Sequence, residues 1–269
     1  MLFKMIKYAI SDDFDESYYV VGDIHASLFR LKSTYEDYIR CRKRGYNNMK
    51  LIYLGDYLDR GIDGTEVINL ILDIQTNSRY KDDIYFLLGN HEVYRYDHTL
   101  TINDPTLMYD SRLDYFKEKG LVFYIAYYNS FRNLLFTHSG MSDTRNIEEK
   151  LQYYCDKFNN KDGKLEVNLI DKQINLCLNP ENVKLHDSFF YGLVPSFDIN
   201  IETHIIKKEL FHSHVTQVLG HYHKIFYVSG DTLYPITALD NISKDNVDWI
   251  LLDASDNKCC RNTVIIRGI

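Results

Sequence analysis

The chain has 269 residues, enough to bury a large core, and its length is as compatible with one domain as with two. A hydrophobic content of 45% and a charged content of 26% are ordinary for a folded globular protein. A net charge of −7 argues against a surface built to hold nucleic acid nonspecifically, though not against a local basic groove, and no apolar run approaches the roughly 20 residues of a membrane-spanning helix.

The first ten residues, MLFKMIKYAI, contain Lys4 and Lys7 and no unbroken apolar stretch, which makes a poor secretory signal. The cysteines, Cys41, Cys155, Cys177, Cys259 and Cys260, are odd in number and include no CxxC pair. A reduced, cytoplasmic setting is the expectation. Nothing repeats and nothing is low in complexity. The chain therefore reads as one domain over 1–269, with a less regular insertion around 141–200.

Ser17–Val21 reads as a strand that stops at Gly22-Asp23-Ile24-His25. The spacing of Leu28, Leu31, Tyr35, Tyr38 and Ile39 predicts a helix over Ser27–Arg44. Arg40, Arg42, Lys43 and Arg44 fall at its end, where cations suit the helix dipole. Lys50–Leu54 is a second strand, ending in Gly55-Asp56, and Thr65–Gln75 is a second helix with Val67, Ile68, Ile71 and Leu72 on one side. A third strand, Asp82–Leu88, ends in Gly89-Asn90-His91-Glu92. Strands alternating with helices imply parallel crossovers, and sites in such sheets gather at the carboxyl ends of strands.

Leu121–Tyr127 and Asn133–Thr137 read as a hairpin about Asn129-Ser130, the second arm ending in His138-Ser139-Gly140. A helix is expected near Ile147–Phe158 and another over Ile201–Phe211. Val215–Leu219 is a strand ending in Gly220-His221-Tyr222-His223. Ile225–Val228, Leu233–Leu239, Trp249–Asp253 and Val264–Ile266 read as further strands of an antiparallel sheet.

The strand ends thus collect Asp23, His25, Asp56, Asn90, His91, His138, His221 and His223. Hard oxygen and imidazole donors with no cysteine suit Mn²⁺, Fe or Zn²⁺ at five- or six-coordinate positions, not a structural zinc. The donors outnumber the needs of one ion, so two ions sharing a carboxylate is the simplest reading. His98, His204, His212 and His214 fit no such pattern.

GDIH (22–25), GDYLDRG (55–61), GNHE (89–92), THSG (137–140) and LGHYH (219–223) resemble, in order and spacing, the calcineurin-like metallophosphoesterases. The full GDxxDRG and GNHE forms are similar to the phosphoprotein-phosphatase branch, which holds Ser/Thr protein phosphatases and symmetrical diadenosine-tetraphosphate hydrolases. The resemblance runs from residue 20 to about 240. It implies an α/β fold, a four-layer αββα sandwich of two mixed sheets flanked by helices. It implies two divalent metal ions, Mn²⁺ first, with Fe, Zn²⁺ or Mg²⁺ as alternatives, and hydrolysis by in-line attack of a metal-bridging hydroxide.

Residue by residue, the resemblance assigns Asp23 and His25 to the first metal and Asp56 to a bridge between the two. Asn90, His138 and His221 then complete the second metal, and His223 reaches the first. Arg60 supplies a fork of donors for two phosphate oxygens, and Asn90 and His91 adjoin the same phosphate. His91 protonates the departing alkoxide, and Asp59 orients it and raises its pKa. Glu92 is expected to brace the loop by hydrogen bonds.

Two departures stand out. Ala26 replaces the Gly that usually follows GDxH, which is tolerable if residue 26 opens a helix with ordinary dihedrals. There is also no Arg between Asn146 and Cys260, where the branch supplies a second phosphate clamp; Lys184, His186 and Arg145 are the candidate substitutes, none of them in a motif.

The expected function is therefore a metal-dependent phosphomonoesterase of the Ser/Thr protein phosphatase kind. The alternative is a hydrolase of dinucleoside polyphosphates or nucleotide-capped ends. A non-catalytic phosphate-binding module is disfavoured, because every expected metal donor is present together with Asp59 and His91. The expected partner is a phosphorylated protein, peptide or nucleotide substrate, with no membrane and no strong nucleic-acid signature.

Overall fold

A computed structural model of the chain describes residues 6–93, 112–138, 144–159, 199–200, 205–206, 215–220, 225–229, 232–235, 249–252 and 263–267. In chain order the elements are β1 (Ile6–Ser11), β2 (Ser17–Val21), α1 (Leu28–Lys43), β3 (Met49–Tyr53), α2 (Gly64–Asn77), β4 (Ile84–Phe86), α3 (Asn90–Val93) and α4 (Arg112–Lys119). They continue with β5 (Phe123–Asn129), β6 (Leu134–Thr137), α5 (Ile147–Phe158), β7 (Ile199–Asn200) and β8 (Ile205–Ile206). The last are β9 (Thr216–Leu219), β10 (Ile225–Ser229), β11 (Thr232–Pro235), β12 (Trp249–Leu252) and β13 (Thr263–Ile266).

Two mixed sheets organise them. The smaller has the order β13-β2-β3-β4, with β2, β3 and β4 parallel and α1 and α2 as crossovers. The larger has the order β1-β5-β6-β9-β12-β10-β11 among the described residues. Side-chain alternation decides how they stack. Tyr18, Val20, Ile52 and Leu54 of the smaller sheet pack with Tyr127, Leu134, Phe136 and Val218 of the larger. The intervening Tyr19, Val21, Leu51 and Tyr53 belong to the cluster that holds Leu31 and Tyr38 of α1 and Val67, Ile68 and Ile71 of α2. A one-residue slip of β2 against β3 would exchange the two faces, so burial on both sides fixes the register that pairs Val20 with Ile52.

The α1 boundaries follow from local chemistry. Ser27 caps the first turn by accepting from the Arg30 amide at 3.3 Å, and the Arg44 amide closes the last on the Arg40 carbonyl at 3.1 Å. Away from the strand ends that bear the motifs, a buried polar cluster ties the sheets together. Arg132, just before β6, donates to the carbonyls of Glu16 at 2.7 Å and Arg267 at 2.9 Å. The buried Glu16 carboxylate accepts from Tyr18 Oη at 2.7 Å, Tyr127 Oη at 2.8 Å and Asn129 Nδ2 at 3.1 Å. Burial first, and the Glu16 charge second, push both phenols far above their ordinary range.

Three expectations need correction. Asp82 and Asp83 form a 3₁₀ turn with Lys81, not the start of β4, because two adjacent carboxylates do not enter a buried strand. Ile205–Ile206, the described part of the helix expected over Ile201–Phe211, is a strand paired with Ile199–Asn200, in keeping with the strand preference of β-branched residues. The last strands are not one antiparallel sheet. β12 runs parallel to β9, and β13 leaves to pair with β2 in the other sheet. β1, α3 and α4 went unpredicted. None of the described helices is long and apolar enough to cross a membrane.

Candidate metal centre

Each described residue of the expected set follows the end of a strand. Asp23 and His25 follow β2; Asp56, Asp59 and Arg60 follow β3. Asn90, His91 and Glu92 form the single turn of α3 beyond β4, and His138 follows β6. Gly220 follows β9, and its amide donates to the His138 carbonyl at 2.9 Å. A Cβ at Gly220 would collide with Asp23 Oδ1, so the end of β9 lies directly against that carboxylate. His221 and His223 come next in the chain and lie outside the described residues.

Asp23, Asp56, His25 and His138 are buried, and His91 is partly open. Two triples of donor atoms lie within 4.8 Å of one another: His25, Asp56 and His91, and Asp23, Asp56 and His138. Asp56 is common to both. Asp23 stands beside His25 as well, with Oδ2 at 3.5 Å from His25 Nε2.

The imidazoles are oriented from behind. His25 Nδ1 lies 3.3 Å from the Leu58 carbonyl and His138 Nδ1 lies 2.9 Å from the Leu54 carbonyl, which fixes the protonated nitrogen and leaves each Nε2 as a lone-pair donor. His138 Nε2 then faces Asp56 Oδ1 at 3.3 Å, and His91 Nε2 faces Asp56 Oδ2 at 3.7 Å. The His138 spacing is that of neighbouring ligands on an ion with bonds of about 2.1 Å. Two buried carboxylates with imidazoles whose second nitrogens are already occupied therefore fit divalent cations.

The loops carrying these groups are laced together through the backbone. Asp56 O accepts from the amides of Ile24 at 3.0 Å and His25 at 2.7 Å, Tyr57 O accepts from Ala26 at 2.7 Å, and the Asp63 amide returns to Ala26 O at 3.0 Å. Glu92, fully buried, closes the third side. Its Oε2 accepts from the amides of Asp56 and Gly89, both at 3.0 Å, and its Oε1 from Tyr57 at 2.9 Å and Leu58 at 3.3 Å. Glu92 is thus the brace the sequence suggested. Gly89 has no freedom to change, since a Cβ there would meet Asp56 N and Oδ1.

The lacing strains the chain. His25, Ala26, Asp56, Asp59 and Arg60 all take positive φ, between 48° and 66°. The expectation for Ala26 is corrected here: α1 begins at Leu28 behind the Ser27 cap, and Ala26 sits at φ 50°, a conformation that favours glycine.

Burial, then the Asp23 charge, push the Asp56 carboxyl up to about 7. That is the behaviour of two carboxylates buried side by side. His91 Nδ1 lies 2.6 Å from Asp59 Oδ2. Burial pulls the His91 imidazole down, but the Asp59 hydrogen bond and the charges of Asp56 and Glu92 more than offset it, so its pKa is raised. Arg60 is exposed at the rim.

Sequence reading missed Asp63, whose Oδ2 accepts from the Leu28 amide at 3.3 Å, and Arg30, whose Nη1 donates to the Asp23 carbonyl at 2.9 Å. The available signal for Arg30 was a cation in the first turn of a helix, the end where the dipole disfavours it.

The profile of the family described as calcineurin-like phosphoesterase matches residues 17–225, well over half of the chain. The chain is a calcineurin-like phosphoesterase. Over 73 residues, 27% of its length, this phosphoesterase is 41% identical to a candidate serine/threonine-protein phosphatase of Caenorhabditis elegans. Over the same length it is 36% identical to a serine/threonine-protein phosphatase 4 catalytic subunit of Eremothecium gossypii. The matched stretches span only 18% and 21% of those relatives. A solved structure described as a candidate diadenosine tetraphosphatase aligns over 98% of both chains at 14% identity, with a TM-score of 0.44. The phosphoesterase is therefore a hydrolase with candidate metal-binding residues and Ser/Thr phosphatase-like relatives.

Proposed function

We propose that the phosphoesterase hydrolyses phosphate monoesters in the manner of a Ser/Thr protein phosphatase, using two divalent ions, Mn²⁺ first among them. The observation that carries this reading is the convergence on Asp56: Asp23, His25 and His138 gather around its carboxylate, and the Asp59–His91 pair, joined at 2.6 Å, stands beside it with His91 Nε2 3.7 Å from Asp56 Oδ2. Asp23, His25, Asp56, Asn90, His138, His221 and His223 would hold the ions. When bound, the ions neutralise the phosphoryl oxygens as charge gathers on them and make coordinated water acidic.

The chain's own side chains divide the remaining tasks. Arg60 presents a planar fork to two phosphate oxygens from the rim, with Asn90 and His91 on the same phosphate. Raised by Asp59, His91 keeps a proton on its ring and delivers it from Nε2 to the departing alkoxide oxygen. Glu92 holds the amides of Asp56, Tyr57 and Leu58, and so keeps the Asp56 carboxylate and the Asp59–His91 pair in one frame. The matching Ser/Thr phosphatases support phosphorylated protein as the substrate class.

The test is hydrolysis of p-nitrophenyl phosphate with added Mn²⁺, together with a phosphoserine peptide and diadenosine tetraphosphate in parallel, and metal analysis of the loaded protein. Two ions per chain and cleavage of the ester and the peptide are expected, both lost in Asp56→Asn. Cleavage of the dinucleotide alone would move the substrate class to dinucleoside polyphosphates. One ion per chain at saturation would refute the dinuclear centre.

A further inference from the structure

We infer that Arg30 is a second guanidinium for the substrate phosphate, an assignment that rests on the phosphomonoesterase reading above. Arg30 lies in the first turn of α1, seven residues after Asp23, and its side chain turns back along the helix to the loop that carries that carboxylate. Nη1 donates to the Asp23 carbonyl at 2.9 Å, so the guanidinium is pinned one residue's width from the Asp23 carboxylate, which itself lies 3.5 Å from His25 Nε2. A guanidinium has five N–H donors in a fixed fork. The carbonyl takes one, and four N–H donors remain on a side chain that is only half-buried.

Three observations argue for an anion there. No carboxylate pairs with Arg30 among the described residues, unlike Arg42, which Asp83 holds at 2.7 Å. The first turn of α1 has no acidic residue, and a cation at that end is unfavourable for the helix itself, so helix stability does not explain the arginine. A phosphate dianion presents more oxygens than the single fork of Arg60 can grip. A planar fork anchored on a backbone carbonyl is pre-organised for that duty in a way lysine is not.

Arg30→Gln discriminates, because glutamine can still donate one hydrogen bond to the Asp23 carbonyl but has neither charge nor fork. In Mn²⁺-loaded protein the variant is expected to raise KM for p-nitrophenyl phosphate and Ki for inorganic phosphate by about tenfold or more. Binding of inorganic phosphate, followed by broadening of its phosphorus resonance by Mn²⁺, should weaken in parallel. Metal content and Tm should stay at wild-type values. Arg30→Lys should recover part of the phosphate affinity. Unchanged KM, Ki and phosphate binding in Arg30→Gln, in an enzyme that cleaves the ester, would overturn the assignment and leave the phosphatase reading intact. A lowered Tm or lost metal with phosphate affinity retained would overturn it too, by making Arg30 structural. If the wild type cleaves no ester but its phosphate binding still depends on Arg30, the assignment stands and the phosphatase reading falls.

Discussion

Replacing Glu92 by glutamine keeps volume and shape and changes only the hydrogen-bonding chemistry. The carboxylate accepts four backbone amides, those of Asp56 and Gly89 on Oε2 and those of Tyr57 and Leu58 on Oε1, in a site closed to water. A glutamine oxygen can serve one pair, and its NH₂ must then face the other pair donor to donor. Two buried amides left without an acceptor cost about 1–3 kcal/mol each, so Glu92→Gln should destabilise the protein by roughly 2–6 kcal/mol. That is a large part of the roughly 5–15 kcal/mol that holds a domain folded. Urea unfolding of metal-free protein would measure it, with Glu148→Gln in the first turn of α5 as a control expected within about 0.5 kcal/mol of wild type. A Glu92→Gln variant within about 1 kcal/mol of wild type would refute the claim that this carboxylate organises the centre.

Asp56 makes the metal-free protein pH-sensitive. Its folded value of about 7 lies above that of the unfolded chain, so its stabilisation is complete below about pH 4 and is lost as pH rises through about 7. Denaturant titrations of metal-free protein should lose on the order of 4 kcal/mol across that window, and an equal slope in Asp56→Asn would contradict the assignment. Asp59→Asn should lower the His91 pKa, moving the alkaline limb of the kcat/KM profile to lower pH; an unmoved limb would separate His91 from the proton transfer. Ala26→Gly relieves the positive φ at the cost of a looser unfolded chain, and should stabilise by up to about 1 kcal/mol in thermal unfolding. A loss of that size would instead mean that the methyl group's packing outweighs the strain.

How much could be read without coordinates depended on the range of the forces involved. The strand Ser17–Val21 and the helix Ile147–Phe158 match the structure residue for residue. In each, the repeat of buried side chains and the residues at the ends act over a few neighbours, and those neighbours are present in the sequence. The candidate site residues were legible for the same reason, since Asp23, Asp56, His91 and His138 each stand shortly beyond the end of an apolar strand.

What lay beyond reach depended on residues distant in the chain. That β12 inserts between β9 and β10, and that β13 crosses to β2, is decided by which edges the packed sheets leave open. The positive φ of Ala26 arises because the amides and carbonyls of loops 24–28 and 56–63 must meet, and nothing local to Ala26 requires it. Arg30 acquires a meaning only when the chain brings its guanidinium back to the Asp23 carbonyl. The sequence alone named the candidate donors and their order along the chain. The tertiary structure decided their mutual distances, the nitrogen each imidazole turns toward Asp56, and the raised pKa of that carboxyl, because those depend on burial and charge contributed by segments far apart in sequence.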